Sequence, residues 1–421
     1  MSTVATDMRP MGGNLGGYRI LDLAGEPGFL AGKLLGDLGA DVIKVESPSG
    51  DAARRRGPFV GGASDRERSI LWLALNTSKR GITLNLDTAR GREIFVALCR
   101  HADAVIESAG PASPESLASR GLGYERLKTV NPKLVVCSIS PFGQSGPYRT
   151  YRGSDLTAVA MGGNMYPTGN PDRAPVRCSL PVAYYHGGIE AAVGVVFALW
   201  GRETQGEGQF VDVSLQETML MPNMTSPTQF PLTGSKGGRV GGGFRGGKAF
   251  FHELWPAADG YVSFALRGGP ARIPGIVAMV KYMDECGMAP DALKQRDWST
   301  YNHNLITQEE VDEIEGALAA FFRSKTMAEL FAAACDRNLM LAPANTAREI
   351  LASRQLAARA FFVQLDDPRR GVTLTYPGAF AKTSLGNVGV RGPAPRLGQH
   401  NREVYGALGL DVTPLAAAGV I

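Results

Sequence analysis

The chain has 421 residues, 44% of them hydrophobic and 20% charged, which is length enough for two or three packed domains around ample core-forming material. A formal net charge of +4, from 44 basic and 40 acidic residues, is too balanced for a nucleic-acid binder, and the run Arg54-Arg55-Arg56 is too short to act as a basic tail. Five scattered cysteines without a CxxC pair and five histidines without ligand spacing point to a reduced, cytoplasmic protein with no structural metal.

In chain order, Met1 to Gly17 lacks the apolar stretch of a secretory signal and is expected to fray. From Tyr18 to Ser140 short apolar runs (18–23, 41–45, 103–107, 133–139) alternate with helical patterns (28–39, 88–101, 113–129). That alternation predicts an α/β fold with a mainly parallel sheet, whose ligands gather at the C-terminal ends of the strands. Cys137, inside Leu134-Val135-Val136-Cys137, reads as buried packing rather than a nucleophile. A long helix is predicted over about 184–203, stopped by Gly206-Glu207-Gly208. Its most apolar part, Gly188 to Trp200, is 13 residues, short of the roughly 20 that span a bilayer, so no membrane span is expected. A strand over 209–213 and a helix over 214–221 follow.

Beyond Pro222 the texture changes, with eight glycines between Gly234 and Gly247. This run has neither the GxxxxGK[ST] nor the GxGxxG context of a phosphate cradle and reads as a linker or a lid. The expected organisation is a large α/β domain over 1–225, a Gly/Pro-rich linker over 226–249, a smaller α+β domain over 250–340 and a return segment over 341–421. In the small domain a strand is expected over 260–266 and a helix over 311–323. Gly392-Pro393-Ala394-Pro395-Arg396 cannot be helix interior and is expected to wrap over a surface, of this chain or of a neighbour.

Several separated motifs carry a family resemblance: GDLGADVIKVE over 36–46 with Ser49-Gly50-Asp51 and Arg54, NTSKRGITLNL over 76–86, GLGYE over 121–125, SPFGQSGP over 140–147 and GEGQFVDVS over 206–214. In this order and spacing they resemble the class III (CaiB/BaiF, formyl-CoA transferase-like) CoA-transferase family. The resemblance implies a large α/β domain, a smaller inserted domain and two protomers threaded through one another. It also implies an aspartate that attacks an acyl-CoA thioester and returns CoA to an acceptor acid through an anhydride, chemistry suited to a carboxylate ionised at neutral pH.

Aligned on Pro181 and Gly188, the family aspartate falls on Tyr184. A phenol of pKa about 10 is roughly one-thousandth ionised at pH 7 and cannot form the anhydride, so Tyr184 reads as an aromatic filling the vacated place. Glu26, on the loop Gly25-Glu26-Pro27-Gly28, is the best substitute carboxylate, and His186 is a neighbour able to titrate near neutrality. Glu190 lies six positions on, rotated away on a helix. Asp155 is read as capping its own helix. The family's racemases would need proton carriers near Ser154 and Tyr184, and neither residue serves. Gly25, Glu26, Lys44, Arg54, Lys79, Arg80, Leu84 and Ser108 are the candidates for holding CoA, the cations serving its phosphates. The segment Ser108-Ala109-Gly110-Pro111 nevertheless lacks the aromatic and the cation that the family pattern carries there.

The expected function is therefore a catalytically degenerate subunit of a hetero-oligomeric class III CoA-transferase, with CoA or an acyl-CoA and a small carboxylic acid as substrates and a homologous aspartate-bearing subunit as partner. The Tyr184-Tyr185-His186-Gly187-Gly188 segment resembles the non-catalytic subunit of the benzylsuccinate CoA-transferase type. A self-sufficient transferase using Glu26 and a non-catalytic CoA-binding regulatory protein are the alternatives.

Overall fold

Strand β1 (Arg19–Asp22), helix α1 (Phe29–Asp37) and strand β2 (Asp41–Glu46) open the fold in a computed structural model that describes residues 12–421. The expected fraying of 1–17 falls for residues 1–11 outside the described residues. Over 12–17 the chain instead docks, with Leu15 buried and its N–H donating to Leu38 O at 2.9 Å. Strands β3 (Lys79–Thr83), β4 (Ala104–Glu107), β5 (Val135–Ser140) and β6 (Phe210–Ser214) complete a six-stranded sheet, all neighbours parallel, in the order β3-β2-β1-β4-β5-β6.

The sheet is buried on both faces, which is why its strands read as continuous apolar runs rather than alternating ones. Successive residues enter different cores. Ile20, Val135 and Cys137 pack with α1 and the long helix α6 (Val182–Gln205), whereas Leu21, Ile43 and Val136 pack with α3 (Ala89–Cys99); between β2 and β3, α2 (Ile70–Leu75) packs Trp72 and Leu73 in a separate small cluster with Phe29 and Ala394. Burial raises the Cys137 thiol pKa, as its packing role requires. The crossover before β5 is shorter than the pattern suggested. Only α4 (Tyr124–Val130) is helical, because Gly121 takes a left-handed φ of +72° and the preceding residues close as turns.

Helix α5 (Asp155–Met161) precedes α6, which runs 24 residues to a left-handed Gly206 whose N–H donates to Arg202 O at 2.8 Å. By length and composition α6 is apolar enough to cross a membrane; 44% of its most apolar window is buried against the protein. Gly187 and Gly188 let it lie close to its neighbours. A Cβ at 188 would stand 2.9 Å from Leu30 Cβ and 3.2 Å from Ala31 N on α1. Since the obstruction includes backbone, Gly188→Ala is expected to destabilise the protein by about 1–3 kcal/mol, read as a lower urea midpoint at unchanged m-value.

Helices α7 (Leu215–Leu220) and α8 (Thr225–Thr233) follow β6, so the start of the Pro-containing stretch is helical. The described residues divide into two compact units, one of residues 12–165, 177–234 and 357–421 and one of 166–176 and 235–356. In the second, the glycine run leads into a hairpin, β7 (Gly243–Gly246) and β8 (Ala249–His252). An antiparallel sheet of β9 (Leu254–Pro256), β10 (Tyr261–Phe264) and β11 (Leu341–Pro343) packs with the helix Gln308–Arg323, whose N-terminus carries a Thr307/Glu310 capping box, around Phe251, Trp255, Phe321 and Phe322.

The final segment returns to the first unit through the hairpin β12 (Phe362–Asp367) and β13 (Val372–Pro377). It then seals the open edge of β3. Gly81 N–H donates to His400 Nδ1 at 2.9 Å, Thr83 N–H to Asn401 Oδ1 at 2.9 Å, and Tyr405 OH to Thr83 O at 2.6 Å. Pro395 O accepts from Trp72 Nε1 at 3.1 Å and Arg54 Nη2 at 3.0 Å, so the proline-rich stretch wraps over this chain's own surface.

Candidate active site

The sheet order reverses direction between β1 and β4, and at such a switch point the two following loops part and leave a crevice. Here Gly25 N–H, after β1, donates to Ser108 Oγ, after β4, at 2.8 Å. On one side of this link lies a cavity of about 640 Å³ lined by Gly25, Glu26, Leu84 and Ser108, with Arg55 and Arg56 at its wall. On the other side a cavity of about 530 Å³ is lined by Pro27, Ser108, Ser140, Arg152, Tyr184 and Leu215. Four of the expected site residues thus meet around the first cavity, and Tyr184 stands in the next one.

The four cations expected to face phosphates do not. Lys79 Nζ is enclosed by Asp22 Oδ2 at 2.8 Å, Phe29 O at 2.9 Å and Asn76 Oδ1 at 2.8 Å. Lys44 donates to Ala24 O and lies 3.5 Å from Asp22 Oδ1. Arg54 forks onto Glu46 at 2.7 and 2.8 Å and stacks 3.8 Å over the Trp72 ring. Arg80 forks onto Asp41 at 2.8 and 2.6 Å and reaches Glu403 at 2.7 Å. Lysines and arginines in the middle of buried strands or turns need internal counter-charges, and these four find them. Of the triplet, Arg54 turns inward while Arg55 and Arg56 turn out. Arg120 also lines the cavity, a contribution with no motif to announce it. The lining holds six acidic side chains (Glu26, Glu46, Asp51, Asp87, Glu107, Glu115) against these three arginines.

Tyr184 is half-buried near the start of α6. Burial raises its phenol pKa and the charges of Glu26 and Asp155 add to that, outweighing a backbone hydrogen bond from Asp155 and the charge of Arg56. Tyr185 is raised in the same way. At neutral pH neither is a phenolate. Glu26 is ion-paired with Arg56 on the turn that leads into α1. Asp155 has a different task from the one expected: its Oδ1 accepts from Ala183 N–H at 2.9 Å, so it caps α6 and not its own helix, where Thr157 Oγ1 accepts from Ser154 N–H at 2.7 Å. His186 and Glu190 face one another on one side of α6, and burial raises the Glu190 pKa while His186 opposes it. Among the described residues no group of three or more His, Cys, Asp or Glu side chains is placed to hold a metal ion.

Comparison with known proteins agrees with this architecture. Residues 15–401 match the family described as CoA-transferase family III. The chain is 34% identical over 395 residues to the succinyl-CoA:(R)-benzylsuccinate CoA-transferase subunit BbsE of Thauera aromatica, covering 94% of each chain. It is 30% identical to the succinyl-CoA–L-malate CoA-transferase beta subunit of Chloroflexus aurantiacus, covering 93% of each. The crystal structure of a CaiB/BaiF family protein from Brucella suis superposes with a TM-score of 0.79 at 29% identity, over 94% of this chain and 100% of that one. With the doubly wound sheet, the crevice at its switch point and matches that span nearly the whole chain, this protein belongs to CoA-transferase family III.

Proposed function

We propose that the chain is the non-catalytic subunit of a hetero-oligomeric, cytoplasmic CoA-transferase that moves CoA between an acyl-CoA, such as succinyl-CoA, and a carboxylic acid. The observation that carries the reading is Tyr184: the place of the family's attacking carboxylate holds a half-buried phenol whose pKa is raised, not lowered. A nucleophile would need the opposite shift. The partner would be a homologous chain that supplies the aspartate.

Two further features support this. The larger cavity offers an anionic nucleotide little free positive charge: Arg56 is taken up by Glu26 and Arg120 by Asp87 at 2.8 Å, which leaves Arg55 against Asp51 and Glu115. Along the outer side of α6, Ile189, Val193, Phe197 and Trp200 are exposed by 45, 48, 66 and 70%. So large an apolar stripe suits a permanent interface with a second class III chain.

Glu26 remains the alternative nucleophile if the chain works alone, since its carboxylate lines the larger cavity and its charge reaches Tyr184, whereas Asp155, also close to Tyr184, is committed to capping α6. Hydroxylamine trapping during turnover separates the two: a labelled partner aspartate with Glu26 unlabelled supports the subunit reading, and a labelled Glu26 overturns it. Calorimetry with CoA is expected to give binding to the isolated chain at least about tenfold weaker than to the hetero-oligomer, because the lining offers so little free positive charge. Equal affinity would favour a CoA-binding regulatory protein.

A further inference from the structure

A further hollow in the first unit, of about 430 Å³, shares no lining residue with either cavity described above. Its wall brings together five arginines from three distant stretches of chain, Arg66 and Arg68, Arg369 and Arg370, and Arg396, with two acidic residues, Asp65 and Glu67. Gathering like charges in this way is unfavourable unless something offsets it.

The charges divide into two groups. Arg370 is built into the wall: it is 7% exposed, donates to Asp367 and to Ala394 O, and pairs with Glu67 at 3.0 Å. Glu67 also accepts from Arg54 Nη1 at 3.2 Å and from Leu397 N–H at 3.1 Å, so its carboxylate is fully committed. Arg68 lies 3.5 Å from Asp65. Both acidic groups are thereby used, and the guanidinium groups of Arg66, Arg369 and Arg396 have no side-chain hydrogen bond or ion pair among the described residues. Each is exposed. Two of them sit on hydrogen-bonded segments: the β12–β13 hairpin turn, closed by Arg370 N–H to Asp367 O at 3.0 Å, presents Arg369, and the segment sealing β3 presents Arg396.

From this we infer that the hollow is an anion site for a small, multiply charged phosphate group, such as a pyrophosphate or a phosphorylated metabolite. Three unpaired guanidinium groups on separate segments match a ligand with several acceptor oxygens spread around it. Leu397 is the one apolar side chain in the lining, and no aromatic residue is there to stack on a base, so the phosphate and not a nucleoside is what the hollow recognises. Its arginine-rich wall contrasts with the acid-rich lining of the crevice at β1 and β4. The inference does not rest on the transferase subunit reading.

Titrating inorganic pyrophosphate into the full chain by calorimetry tests it. One saturable site is expected, weakening as ionic strength rises. Arg369→Ala and Arg396→Ala should each weaken binding about tenfold or more, as expected for loss of a charged hydrogen-bond donor, while Arg369→Lys keeps part of the affinity. Neither arginine has an internal partner, so circular dichroism melts of the variants should match the parent. Saturating CoA should leave pyrophosphate bound, because the sites share no wall. The site is overturned by an absence of saturable binding at low salt, by variants that bind as the parent does, or by stoichiometric displacement by CoA, which would make the hollow part of the CoA site.

Discussion

Replacing Asp22 by asparagine is expected to destabilise the first unit by about 3–5 kcal/mol, the cost of leaving a buried charge without its partner. Asp22 is fully buried and shared by two lysines, Lys79 at 2.8 Å and Lys44 at 3.5 Å. It sits at the end of β1 beneath Gly32 of α1, where a Cβ would stand 2.2 Å from its Oδ2. Burial disfavours its ionised form, but Lys44 and Lys79 outweigh that and hold the carboxyl below its ordinary value of 3.8. The stability it contributes is therefore complete above about pH 4 and is lost as pH falls through its folded value. Lys79 is pushed down to about 8 by burial, with Asp22 resisting and Lys44 assisting. Its folded form releases its proton before the unfolded chain does, so its contribution becomes more favourable as pH rises from about 8 toward 10.5. Urea titrations of parent and Asp22→Asn from pH 3 to 10 check both slopes. A variant within 1 kcal/mol of the parent at pH 7 would mean that the network contributes little.

In assays of acyl exchange from succinyl-CoA, the isolated chain is expected to turn over at least about a thousandfold more slowly than its complex with an aspartate-bearing homologue, since loss of a covalent nucleophile commonly costs this much or more. Tyr184→Phe should change the rate of the complex by less than about threefold, because a neutral phenol offers no attacking oxygen and the aromatic ring still fills the space. Substituting the partner's aspartate should abolish exchange. Chromatographic separation of the CoA esters gives the rates. Robust turnover by the isolated chain, or loss of activity in Tyr184→Phe alone, would remove the non-catalytic assignment.

The amino-acid sequence by itself determined the fold class, the parallel sheet and the family, and it placed Tyr184 where the family resemblance leads one to expect an aspartate. These depend on local information: apolar runs buried on both faces, glycines at turns, and motifs of fixed spacing. It also located the loops carrying Gly25, Glu26, Leu84 and Ser108, because a doubly wound sheet brings strand ends together whatever the side chains are. Strand β3 was visible as the motif Lys79 to Thr83 but not as a strand, since Lys79 and Arg80 hide its apolar character.

Only the tertiary structure decided which charges line the crevice. Lys44, Arg54, Lys79 and Arg80 are indistinguishable in sequence from residues that meet a ligand, and what separates them is a counter-charge brought in from elsewhere in the chain: Asp22 for the lysines, Glu46 and Glu67 for Arg54, Asp41 and Glu403 for Arg80. Asp155 likewise caps a helix 28 residues away in place of its own. A buried charge is stable only beside its partner, and which partner it meets is set by the packing of strands and helices, not by its neighbours along the chain.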